Sequence, residues 1–246
     1  DKYKNIFQSG YLVGDKINFD NCEFKHGEFL ELDRGFDFYA PQTTKSDDGR
    51  NILIGWMGLP EIEYPTDENG WAHCLTIPRE LTLHGDKLIQ NPIRELERLR
   101  KNKRSESYAL DNEEVGIEGF NGKVYEVECD FRNISGTSVG IKLRKGKDEE
   151  TVFYYDIKDN KLVLDRSKSG KDFAVEYGRE RKCDYKNESL KLRIFVDISS
   201  VEIFVNDGEE VFTSRIFTDE KSNGISLFAE GKTDIDINIW KLDIKS

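Results

Sequence analysis

The ten residues Asp33-Arg34-Gly35-Phe36-Asp37-Phe38-Tyr39-Ala40-Pro41-Gln42 gather two carboxylates and three aromatic rings beside a Gly and a Pro. That combination suits a sugar: rings stack on apolar sugar faces, and carboxylates accept hydrogen bonds from hydroxyls. The same letters also fit an ordinary turn with Phe38 and Tyr39 packed beneath it. Residue types alone leave both readings open.

The segments that must position this loop read as strands. Phe29-Leu30-Glu31-Leu32 precedes it, and Asn51 to Met57 follows the hairpin turn Ser46-Asp47-Asp48-Gly49-Arg50. The second strand is apolar on both faces, which predicts an inner place in its sheet. Phe7 to Val13 predicts another strand, and an irregular acidic loop runs from Pro60 to Asn69. Gly70 to Ile77 predicts a further strand, stopped by Pro78. Leu81 to Leu83 and Lys87 to Gln90 form a hairpin about His84-Gly85-Asp86. Asn91-Pro92 followed by apolar Ile93, Leu96 and Leu99 predicts a short helix. Polar Lys101 to Ser107 then reads as a boundary. From 108 to 246 the pattern alternates. Leu192, Ile194 and Val196 share one face, as do Val201, Ile203 and Val205, with Asn206-Asp207-Gly208 as a hairpin turn. Ile235, Ile237 and Ile239 line a closing strand. The class is all-β, and residues 108–246 read as an antiparallel β-sandwich.

Composition agrees with flat sheets that keep one face wet. Hydrophobic residues are 37% and charged residues 35%, and 15 Phe and 10 Tyr favour strands. No run approaches the roughly 18 uncharged apolar residues of a membrane span. A net charge of −11 argues against nucleic acid, which needs clustered cations. The basic run Arg94 to Arg104 is interleaved with Glu95 and Glu97 and reads as a solvated face. Cys22, Cys74, Cys129 and Cys183 form no C-x-x-C pair, so metal ligation lacks support and reduced thiols in a cytosolic protein are expected. No Gly-rich phosphate loop and no nucleophile elbow occurs.

Several strings together resemble glycoside hydrolase family 32, the β-fructofuranosidases. They are Phe7-Gln8-Ser9-Gly10-Tyr11-Leu12-Val13-Gly14, Asp37-Phe38-Tyr39-Ala40-Pro41-Gln42, Gly55-Trp56-Met57, Gly70-Trp71-Ala72 and Leu75 to Leu81. Leu164-Asp165-Arg166-Ser167 and Val201 to Gly208 resemble the family's C-terminal domain. The likeness implies a five-bladed β-propeller followed by a β-sandwich. Residues 1–90 would then be the last blades, 91–107 a helical linker and 108–246 the sandwich.

The likeness also implies retaining cleavage of a fructosyl bond in sucrose or sucrose 6-phosphate, by a bacterial cytoplasmic enzyme needing no cofactor. Its nucleophile, transition-state stabiliser and acid/base stand in motifs not found here in their expected place. Residue 1 falls just downstream of the acid/base motif, so the expectation is the second half of an enzyme, inactive alone. Retention needs two carboxylates roughly 5 Å apart, and one short loop rarely poses two across a bond. Asp37, Tyr39 and Trp56 are therefore expected to line the pocket, with no catalytic residue and no metal ligand in the chain. Glu128-Cys129 copies the acid/base dipeptide but lies mid-strand, far from its expected place, and reads as non-catalytic. Trp71 and Arg79 read as packing between blade and sandwich, and His26, His73 and His84 as surface or structural. An unfinished propeller exposes strand edges, which predicts self-association or a complementary half as partner. The rival expectation is a stand-alone sugar-binding sandwich, with measurable affinity in residues 108–246 alone.

Overall fold

The structure, a computed structural model, describes residues 7–243, so the ends of both expected domains lie outside the described residues. Its regular secondary structure is almost wholly strand. The first group is β1 (Gly10–Tyr11), β2 (Leu30–Glu31), β3 (Tyr39–Lys45), β4 (Asn51–Met57), β5 (Cys74–Leu75), β6 (Arg79–His84) and β7 (Lys87–Pro92). β1 and β2 pair with each other. β3, β4, β6 and β7 form one antiparallel sheet in chain order, with β5 added to β4. The inner place of β4 follows from its sequence: Leu53 and Met57 are buried on one face while Ile52, Ile54 and Trp56 are partly covered on the other. The strand expected over Gly70 to Ile77 is only the two residues of β5.

The expected helix after Pro92 is present as a six-residue 3-10 helix, Arg94–Leu99. Asn91 and Pro92 still belong to β7, paired with Glu80 and Arg79. Apolar residues every third position fit the three-residue period of a 3-10 helix as well as one face of an α-helix. This helix is tied to the β3–β4 hairpin by Arg50, whose guanidinium meets Glu95 at 2.6 Å and Asp48 at 2.9 Å. Lys101 to Ser107 is not a loop: it opens β8 (Arg100–Gly116). Among the described residues that strand pairs only with the last strand, and it exposes most residues on both faces. An edge strand of this kind carries charge instead of alternation.

The second group continues with β9 (Tyr125–Lys145), β10 (Glu150–Asp156), β11 (Lys161–Lys168), β12 (Glu180–Asp184), β13 (Leu190–Asp197), β14 (Ser200–Val205), β15 (Glu210–Arg215) and β16 (Gly224–Leu242). With β8 they make one nine-stranded sheet. β9 gives one edge to β16 along its length and divides the other, residues 125–131 pairing with β13 and 138–143 with β10. Between those stretches Gly136 and Gly231 face each other at positive φ, where an added Cβ on either would sit 2.5 Å from the other's Cα. Paired glycines let both long strands bend at one point. The sheet thus curls, and its two arms close over one core. Phe153 of β10 meets Phe212 of β15 at 5.1 Å inside it. Tyr125, Val127, Leu192, Ile194, Val201 and Ile203 all lie in that core.

Candidate functional site

The Asp33–Phe38 loop runs beside β15, the last strand of the large sheet's path, and caps its free edge. Arg34 N–H donates to Val211 O at 2.7 Å, and Phe36 N–H to Thr213 O at 2.8 Å. The two carboxylates complete the pairing from their side chains. Asp33 Oδ1 accepts the Thr213 N–H and Asp37 Oδ2 accepts the Arg215 N–H, both at 2.8 Å. Four residues apart in the loop, the acids answer amides two apart on the strand. Gly35 makes this approach fit, since a Cβ there would stand 2.0 Å from Thr213 O.

Asp33 belongs to a buried network centred on Arg79 of β6. Arg79 donates to Asp33 at 3.0 Å, Gln90 at 3.2 Å, Glu202 of β14 at 2.8 Å and Thr213 at 2.6 Å. Phe38 and Phe204 lie over its guanidinium. Burial raises Asp33 and Glu202 above the usual carboxylate range, with Arg79 pulling both back. Arg79 thus packs between the two sheets as its sequence position suggested. Trp71 remains 46% exposed, with its ring 5.4 Å from the Arg215 guanidinium.

Asp37 does not line an open pocket. Only 1% exposed, it accepts from the Tyr64 hydroxyl at 2.7 Å through Oδ1 and from Arg166 Nη1 of β11 at 3.2 Å through Oδ2. With the Arg215 amide already bound to Oδ2, both oxygens are engaged within the chain. Within this chain Asp37 therefore forms a structural tie between the sheets. Tyr64 is held protonated by burial and by the Asp37 charge, which raise its pKa.

Tyr39 and Trp56 are both partly exposed and neighbour each other, with ring centroids 5.9 Å apart on paired residues of β3 and β4. The row extends from Phe7, 5.0 Å from Tyr39, through His73, 4.8 Å from Trp56, to Tyr64, 5.1 Å from His73. Burial and the nearby Arg215 charge lower His73. Beyond Tyr64 a cleft of about 650 Å³ opens between the acidic loop and residues 171–176, lined by Glu61, Glu63, Glu68, Lys171 and Phe173. Tyr64, Arg166 and Arg215 carried no local signal of a site. Arg166 stood within a family-like string, but only the fold brings it to Asp37. Glu128 lies mid-strand and pairs with Arg100 at 2.5 Å, while Cys129 is buried beside it. His26 and His84 are exposed. Among the described residues, no three His, Cys, Asp or Glu gather as a metal site, and no helix is long and apolar enough to cross a membrane.

The geometry is that of an all-β chain whose curled sheet has its free edge capped by an acidic, aromatic loop. Comparison with known proteins gives the family. "Glycosyl hydrolases family 32 N-terminal domain" matches residues 1–92 and "Glycosyl hydrolases family 32 C terminal" matches 95–241. The chain belongs to glycosyl hydrolase family 32. It is 45% identical to the sucrose-6-phosphate hydrolase of Staphylococcus xylosus over 246 residues, all of this chain and 49% of that protein. The solved sucrose-6-phosphate hydrolase from Lactobacillus gasseri superposes with a TM-score of 0.87 at 32% identity, over 98% of this chain and 49% of that one. A Bombyx mori β-fructofuranosidase solved with sucrose gives 0.76 at 28% identity, over 98% and 48%. The chain spans about half the length of the relatives it matches.

Proposed function

We propose that the chain is the C-terminal portion of a retaining glycoside hydrolase that cleaves the fructosyl bond of sucrose or sucrose 6-phosphate. One observation carries this reading: the two family signatures tile the chain, while relatives named for sucrose 6-phosphate hydrolysis run to twice its length. In this reading residues 1–90 supply the last blades of a five-bladed propeller, 91–107 the connection and 108–246 the sandwich. Tyr39 and Trp56 form an aromatic wall of the sugar pocket, which suits a ring's apolar face. The nucleophile, stabiliser and acid/base come from the half of the enzyme that these residues do not include. The nucleophile would form a covalent fructosyl-enzyme, and water would release fructose with retention. The burial of Asp33 and Asp37 supports this division, since neither is open to a glycosidic bond.

The purified chain, free of host invertase, is expected to release no fructose from sucrose above a no-protein control. Authentic turnover by this chain alone would refute the reading. The same reading gives the chain a partner, its complementary half or a second copy. Phe19, Leu75 and Leu83 of the first group are 81%, 66% and 56% exposed, which supports this. Light scattering at high concentration is expected to register association, and a monodisperse monomer would count against it. The four free thiols support a reducing setting such as the bacterial cytoplasm.

A further inference from the structure

Arg166 stands on the large sheet, yet its side chain reaches the end of the small one. It is 8% exposed, with its guanidinium 3.7 Å from the Phe36 ring centroid and 4.4 Å from that of Phe173. Its Nη1 donates to Asp37, and two paths lead onward from that carboxylate. The first is the backbone itself, because Tyr39 lies two residues further on. The second passes through the Tyr64 hydroxyl, which donates to Asp37 and accepts the Leu59 N–H at 3.1 Å, three residues beyond Trp56. The Tyr64 ring then meets His73 edge-on, and His73 meets Trp56. Gly58 keeps this packing close: a Cβ there would stand 2.6 Å from the His73 ring and 2.9 Å from the Trp56 indole nitrogen.

We propose that Arg166 is a positioning residue, which fixes from the large sheet the orientation of the Tyr39–Trp56 wall. The inference rests on the sugar-facing role given to those two rings above. Arginine is suited to the task because its planar head stacks on Phe36 and Phe173 while its edge meets a carboxylate. A close-packed row of rings has few alternative arrangements, so a shift at Asp37 is passed along it instead of being absorbed.

The test reads Trp56 directly. Of the 3 tryptophans, Trp71 and Trp240 are replaced by Phe, leaving Trp56 as the sole emitter. In that background Arg166→Met is expected to raise acrylamide quenching of Trp56 roughly two-fold, as a loosened segment admits solvent. Arg166→Lys, which keeps the charge and loses the stacking plane, is expected to fall between. Arg144→Met is the control: that arginine is also buried but donates to Ser222 O at 2.8 Å, outside this row. It is expected to lower the melting midpoint without moving the Trp56 signal. Should Arg166→Met not fold, Tyr64→Phe removes one hydroxyl and must shift Trp56 in the same direction. An unmoved Trp56 in Arg166→Met or Tyr64→Phe, or an equal change in Arg144→Met, overturns the proposal. Sugar titration of Trp56→Ala against its parent, in the enzyme completed by its other half, judges the sugar-facing role separately. An unchanged affinity there sinks that role even where the optical result stands.

Discussion

Replacing Arg79 by Met is expected to cost about 3–5 kcal/mol at neutral pH, the scale found when one member of a buried ion cluster is removed. The guanidinium is wholly buried and stands between Asp33 and Glu202, so its loss leaves two unneutralised carboxylates out of water. Against a typical total of 5–15 kcal/mol this is a large fraction. The melting midpoint should fall by roughly 10 °C for a chain of this length.

The pH dependence distinguishes this cause from lost packing. Burial already raises both carboxyls in the folded state, and Arg79 is what restrains them. Without it the native state binds protons still more tightly than the unfolded chain, whose carboxyls titrate near 4. Stability tied to a raised carboxyl is present below the unfolded value and lost as pH rises through the folded one. The gap between Arg79→Met and its parent should therefore be widest at pH 7 and narrow toward pH 5. Adding Glu202→Leu should recover part of the loss. One unpaired charge then disappears, and Asp33 keeps the amides of Gly35 and Thr213 and the Thr213 hydroxyl. Denaturant unfolding of the three proteins across that pH range decides it. A deficit under about 1 kcal/mol, flat with pH, would mean that the cluster is not what joins the sheets.

What could be read in the letters was whatever announces itself locally. The Ser46–Arg50 and Asn206–Gly208 turns and the alternation of β13, β14 and β16 all stand where the pattern put them. So does the inner position of β4. The short helix after Pro92 is there too, as a 3-10 helix, a type that a period of three does not distinguish from one face of an α-helix. β8 was missed because a strand exposed on both faces has no alternation to show. Tyr39 and Trp56 stand side by side because they occupy paired positions of β3 and β4. The burial of Asp37 is not legible in sequence because it is set by Arg166 and Arg215, 129 and 178 residues away. A carboxylate looks the same in sequence whether a sugar hydroxyl or a strand edge awaits it. Only the fold supplies the amide of Arg215.

The capping of β15 by this loop rests on Gly35, and Gly35→Ala is expected to be the costliest single-carbon change in the loop. The added Cβ would lie 2.0 Å from Thr213 O, 2.3 Å from its N and 2.6 Å from its C, all backbone atoms. No side chain can swing aside, so the loop must lift from β15. Lifting breaks the Phe36–Thr213 bond and pulls Asp33 and Asp37 from the amides they cap. Overpacking alone costs about 1–3 kcal/mol, and two buried carboxylates losing donors add to it at about 1–3 kcal/mol each. A total of roughly 4 kcal/mol follows, since the loop's retreat relieves part of the clash. Gly116→Ala is the matched control, because nothing stands within 4 Å of a Cβ there and its φ is ordinary. It should change stability by less than about 0.5 kcal/mol. Hydrogen exchange adds the mechanism: the Phe36 amide, now donating to Thr213 O, should lose protection in Gly35→Ala well before the core amides of β13. Equal loss of protection at both places would mean global weakening, and the loop would not be the edge cap described above.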